Sequence, residues 1–137
     1  MRKIKLLTLT FFLILGFTVV SCKKEKADLD SPIISLHAPV NSQVFKAGSS
    51  IEFKALFSDD KALGQYKIEI YDDFVAIAAQ PWSKVIIEDL SGQSSTVEKS
   101  IEIPQHAEAG LYYLVVNCLD ASGKEASSLK IEINIEN

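Results

Sequence analysis

The sequence predicts an all-β fold, a sandwich of two antiparallel sheets, and three observations carry the expectation. Apolar and polar residues alternate with a period of two along several stretches, the mark of strands with one buried face. Turn-forming clusters separate these stretches at short-strand spacing: Lys46-Ala47-Gly48, Ser58-Asp59-Asp60, Ser91-Gly92, Glu108-Ala109-Gly110 and Ala121-Ser122-Gly123. No long run carries the period of an amphipathic helix, and no internal repeat is present. A chain of 137 residues, 47% hydrophobic, suits one domain with a core large enough to need no disulfide or metal staple.

Taken in order, the first element is an address. Arg2, Lys3 and Lys5 precede the apolar run Leu6–Val20, and Ser21 precedes Cys22, so residues 1–21 read as a secretory signal. Fifteen residues at about 1.5 Å each cover roughly 22 Å, short for a bilayer core of about 30 Å. The junction Val19-Val20-Ser21-Cys22 resembles the bacterial lipobox, which implies cleavage before Cys22 and acylation of it. Residues 22–31, Cys22-Lys23-Lys24-Glu25-Lys26-Ala27-Asp28-Leu29-Asp30-Ser31, are charged and aperiodic and read as a flexible tether ending at Pro32.

Residues 32–137 form the expected domain. Ile34 and Leu36 give a short opening strand. Ile51, Phe53, Ala55 and Phe57 alternate with Glu52, Lys54, Leu56 and Ser58; Tyr66, Ile68 and Ile70 alternate with Lys67, Glu69 and Tyr71. Residues 74–87, apolar at ten of fourteen positions, break the simple pattern, and Pro81 divides them into two short pieces. Val97, Ile101 and Ile103 make a weaker strand interrupted by Lys99. Tyr112, Leu114, Val116 and Cys118 form one phase of the next strand, and Leu129, Ile131, Ile133 and Ile135 form the inward phase of the last.

The run Gly110-Leu111-Tyr112-Tyr113-Leu114-Val115-Val116-Asn117-Cys118-Leu119-Asp120-Ala121-Ser122-Gly123-Lys124 resembles strand F and the F–G hairpin of immunoglobulin-like domains of the fibronectin and cadherin kind. With Pro32-x-Ile34-x-Leu36, Pro39, Phe45, Gly48-x-x-Ile51-x-Phe53 and Ser58-Asp59-Asp60-x-x-Leu63, it resembles an uncharacterised immunoglobulin-like lipoprotein family of Bacteroidota-type bacteria. The resemblance implies an immunoglobulin-like antiparallel β-sandwich of about seven strands, with Tyr112 as a tyrosine corner. Many members carry a His- and Asp-rich stretch after the third strand; here Tyr71-Asp72-Asp73-Phe74 continues as Val75-Ala76-Ile77, without the histidines.

Composition narrows the function. Net charge is −4 overall, and from Cys22 onward 11 basic residues face 18 acidic ones, which argues against a nucleic-acid partner. Once Cys22 is acylated, Cys118 is the only cysteine left, in an apolar run that suits a buried thiol. His37 and His106 have no companion at a metal-binding spacing, and there is no nucleophile elbow, phosphate loop or Cys-x-x-Cys pair, so no enzyme is expected. The expected function is a lipid-anchored binding, adhesion or scaffold module of the cell envelope, held at the outer membrane by Cys22 and facing either the periplasm or the surface. The alternative is an accessory glycan-binding subunit of a surface nutrient-uptake system. Phe74, Trp82 and Tyr113 are the candidate contacts for an envelope protein or glycan, since exposed aromatics supply large contact area at low entropic cost; the competing reading puts residues 74–87 over the core. The topology that the resemblance implies gathers Asp28, Asp30, Asp59, Asp60 and Asp120 at one pole, a candidate Ca²⁺ site, or else a set of turn caps.

Overall fold

The computed structural model describes residues 28–72 and 82–137, so the signal segment, Cys22 and Phe74 lie outside the described residues. Eight strands occur among them: β1 (Ile33–Ala38), β2 (Gln43–Lys46), β3 (Ser50–Ser58), β4 (Leu63–Asp72), β5 (Lys84–Asp89), β6 (Ser94–Glu102), β7 (Gly110–Asp120) and β8 (Leu129–Glu136). They build two sheets, β1-β3-β6 and β2-β8-β7-β4-β5. The expected sandwich is there, with one strand more than the seven expected. The addition is β2, a four-residue strand that runs parallel to β8, pairing Gln43 with Ile133 and Lys46 with Glu136. Too short to show alternation, it forms where the chain leaves β1 for the other sheet, past a cis Ala38–Pro39 bond and Ser42 at φ 64°.

The period-two reading fixes the core. Ile51, Phe53, Ala55 and Phe57 of β3 face Tyr66, Ile68 and Ile70 of β4 and Tyr112, Leu114, Val116 and Cys118 of β7, all buried. In β8 only Ile133 and Ile135 are fully buried; Leu129 and Ile131 are half-buried, Ile131 packing against the core. Ile34 and Leu36 are likewise half-buried, on an edge strand. Tyr112 makes the expected corner: its hydroxyl donates to the Glu108 carbonyl at 2.9 Å, four residues upstream. Gly64 is needed for contact rather than for a turn, since a Cβ there would lie 2.6 Å from the Asp120 carbonyl oxygen.

Strand direction sets two poles. The end of β3, the start of β4 and the β7–β8 turn meet at one pole; the start of β3, the end of β6 and the start of β5 lie at the other. Nine residues of β3 at about 3.3 Å each separate the poles by roughly 30 Å.

Candidate functional site

Among the described residues the five-stranded sheet ends in β5 and the three-stranded sheet in β6, and both edges line the same side of the sandwich. Between them opens a cleft of about 920 Å³ that runs to the pole of Ser49, Glu102 and Gln105. On β5, Lys84, Ile86 and Glu88 pair with Ile70, Ile68 and Tyr66, so they share the inward face of β4 and look into the cleft. From β6, Lys99 and Ile101 face them. Lys99 is the residue that interrupts the apolar phase of β6, and the interruption has a use. Its Nζ lies 2.7 Å from Glu88 Oε1, while the Tyr66 hydroxyl donates to Glu88 Oε2 at 2.7 Å. This charge-assisted chain joins the two sheets where no backbone bonds do. Burial, and then the carboxylate it donates to, push the Tyr66 phenol well up; the Lys99 ammonium, and then the Tyr66 hydroxyl, hold the Glu88 carboxyl below its ordinary range.

Trp82 stands at the mouth of this cleft. It packs on the core with its ring centroid 6.0 Å from that of Tyr112, and its backbone hydrogen-bonds the Tyr112 hydroxyl. Trp82 is therefore half-buried against the core and also lines the cleft. At the rim Gly48, with φ 80°, leaves room for the exposed Gln105: a Cβ there would meet Gln105 Cγ at 2.9 Å. The main chains lock there too, through Gly48 N–H to Ile103 O at 3.0 Å and Ile103 N–H to Ser49 O at 2.8 Å.

Tyr113 does not join Trp82. One residue along from inward Tyr112, it lies on the outer face of the five-stranded sheet, 5.7 Å from Tyr71. Lys130 Nζ sits 3.6 Å from the Tyr113 centroid, so this ring already stacks beneath a cation. Val85 and Ile87 of β5 are exposed on the same outer face, 56% and 52%. The aromatic candidates thus occupy two surfaces rather than one.

The acidic pole does form, with different roles for its members. Asp28, Asp59 and Asp60 each place a carboxylate oxygen within 4.8 Å of the others. Asp59 Oδ2 accepts the Lys61 and Ala62 N–H groups at 2.9 and 2.7 Å, and Asp59 Oδ1 is buried without a hydrogen-bond partner among the described residues. Asp120 is buried and caps its own turn, accepting the Lys124 N–H at 2.7 Å and the Ser122 hydroxyl at 2.8 Å. Asp30 is exposed and contributes only its carbonyl, 3.3 Å from Lys124 Nζ. The Lys124 ammonium, 3.0 Å from Asp28 Oδ1 and 3.7 Å from Asp120 Oδ2, is the cation that these residues hold. Burial opposes its charge, yet Asp28 first and then Asp120 and Asp59 keep its pKa above the ordinary value. Because Asp28 is fixed in this way, the last residues of the expected tether are already docked on the domain.

His37 and His106 are exposed, and neither belongs to a cluster of potential metal ligands among the described residues. Lys84, Glu88, Lys99, Glu102 and Gln105 were not singled out by the sequence; the one signal was Lys99 in an apolar phase.

A family model described as a domain of unknown function, DUF4625, matches residues 20–136. Among solved structures, the fibronectin(III)-like modules of Clostridium thermocellum CbhA are 19% identical, with 75% of this chain and 94% of that chain covered and a TM-score of 0.46. A DUF4466 family protein from Parabacteroides merdae is 14% identical over 75% of this chain and 44% of that one, TM-score 0.51. A β-glucosidase from Listeria innocua is 14% identical over 78% of this chain and 16% of its own, TM-score 0.55. The chain therefore spans under half of the two larger proteins, and at these identities the likeness is one of fold. No curated protein matches the chain.

Proposed function

The chain belongs to the DUF4625 family, and from that premise we propose that it is a lipid-anchored, non-catalytic binding module of the cell envelope in a Bacteroidota-type bacterium. Cys22 carries the acyl chains that hold it at the outer membrane, and the immunoglobulin-like sandwich is the part that meets an envelope protein or glycan. More than one acyl chain is needed for stable anchoring, because each buried CH₂ adds only about 0.8 kcal/mol. The observation that carries the reading is the fixed position of Asp28. Six residues after Cys22, it is pinned by Lys124 at the pole opposite the mouth of the cleft. Asp28 thus joins the domain at the pole opposite Glu102 and Gln105, so that end of the cleft lies at the other end of the sandwich from the point where the anchor segment enters.

Replacing the acylated residue tests this. Cys22→Ala should leave the chain without acyl mass and move it from the detergent phase to the aqueous phase or to uncleaved precursor. A variant that still fractionates with membranes and carries acyl mass would overturn the anchoring.

A further inference from the structure

We propose that the cleft between β5 and β6 binds a neutral oligosaccharide, with the Trp82 indole as the surface on which a sugar ring stacks. The inference deepens the reading of the chain as a binding module and rests on it; its test does not depend on the anchor.

The chemistry of the lining selects the ligand class. Among the described residues, two lysines, Lys84 and Lys99, and two glutamates, Glu88 and Glu102, line the cleft, so their charges balance and favour neither anions nor cations. What it offers is a mixture of strong donors and strong acceptors within one concavity, with the Gln105 amide supplying both. A polyol needs that mixture, because every hydroxyl both donates and accepts. The same ligand has an apolar C–H face, which matches a half-buried aromatic platform. The volume of about 920 Å³ falls near the upper end for small-ligand sites, room for several sugar rings rather than one.

The site is also preorganised. Tyr66 and Lys99 fix both oxygens of Glu88, and Trp82 packs against Tyr112. Side chains already ordered lose little entropy when a ligand arrives, which matters most for weakly binding, well-hydrated sugars. An extended peptide adding to the free edges is the other occupant this position invites. Charged side chains blunt both strands against that addition, Lys84 and Glu88 on β5, Lys99 and Glu102 on β6.

The chain has a single tryptophan, so indole emission reports on this cleft alone. The full chain, held in a zwitterionic, sugar-free detergent, is screened on an array of neutral, sialylated and sulfated oligosaccharides. The strongest ligand is then titrated by fluorescence and calorimetry. A neutral oligosaccharide should bind with a saturable change in Trp82 emission. Glu102→Gln and Gln105→Ala, both at exposed positions, should weaken that binding tenfold or more with an unchanged melting temperature. Three results would overturn the proposal: no neutral glycan bound across the array, stronger binding of sulfated or sialylated glycans, or neutral binding that neither variant weakens. Tighter binding of a β-forming peptide than of any glycan would assign the cleft to strand addition instead.

Discussion

Removing one oxygen atom tests whether the tyrosine corner organises the cleft. Tyr112 is fully buried, and its hydroxyl serves two main-chain partners at once, the Glu108 carbonyl at 2.9 Å and the Trp82 backbone. Tyr112→Phe keeps the ring, its contact with Trp82 and almost all of its volume, so no cavity term enters. What is lost is the pairing of two main-chain groups, each worth about 1 kcal/mol net and more where water cannot replace it. The expected cost is therefore about 2 kcal/mol in urea unfolding. With an unfolding entropy of about 2.1 cal/mol/K per residue over about 100 ordered residues, that cost lowers Tm by about 9 °C. The functional readout is separate. Without the hydroxyl, the Trp82 main chain loses its hold on the core, so indole emission of the folded protein should move to longer wavelength. Far-UV circular dichroism, blind to Trp82 placement, supplies the stability; fluorescence of the native state supplies the placement. A variant within 0.5 kcal/mol of the parent, with unshifted emission, would refute the reasoning that Tyr112 positions Trp82.

Two further predictions concern titratable groups in the fold. Burial raises the Asp120 pKa, but the Lys124 N–H, the Ser122 hydroxyl and N–H and the Lys124 ammonium outweigh it, so the carboxyl sits below its ordinary value of 3.8. A depressed folded-state pKa contributes stability above the unfolded value that is lost as pH falls through the folded one, so the urea midpoint should fall below about pH 4 and fall less steeply in Asp120→Asn. Burial first, and then Asp59 and Asp120, push the Cys118 thiol up to about 11, so in the Cys22→Ala chain a thiol reagent at pH 8 should label it only on unfolding; fast labelling of the native protein would contradict its burial.

Much of the fold was legible because one residue type per phase suffices to write a strand. Ile51 to Phe57, Tyr66 to Ile70 and Tyr112 to Cys118 declare their inward faces, and burial follows them residue by residue. β2 was not legible, since four residues paired in parallel with β8 leave no alternation long enough to read. The site was harder, for a physical reason. Glu88 and Glu102 look like any polar strand residue, and only the pairing of β5 with β4, and the facing of β5 by β6, gathers them into one cleft. Lys99 was the exception. A lysine in an apolar phase costs free energy unless something answers its charge, and the answer, Glu88, lies eleven residues away on the other sheet. Tyr113, a candidate contact, lies on the outer face of β7 with Lys130 of the neighbouring β8 over its ring, a cross-strand placement that only the register reveals.

The two poles use the same residue types to different ends. At the tether pole, carboxylates spend their oxygens inward: Asp59 on the Lys61 and Ala62 amides, Asp120 on Lys124 and Ser122, and Asp28 on the Lys124 ammonium. Those bonds close two turns and fix the direction in which the chain enters the sandwich. A cation from solution would have to displace an ammonium that is covalently part of the site. Ca²⁺ is thus not needed to account for the convergence of acids there. At the cleft pole the balance reverses. Glu102 and Gln105 remain exposed, while Glu88 is held by its neighbours with its charge still lining the cleft. Glu102 and Gln105 stand at the end of β3 opposite the docked Asp28, about 30 Å along that strand, whereas Glu88, paired with Tyr66 near the start of β4, lines the cleft closer to the Asp28 end. The polarity of β3 thus separates the end where Asp28 is held from the end where Glu102 and Gln105 stand exposed.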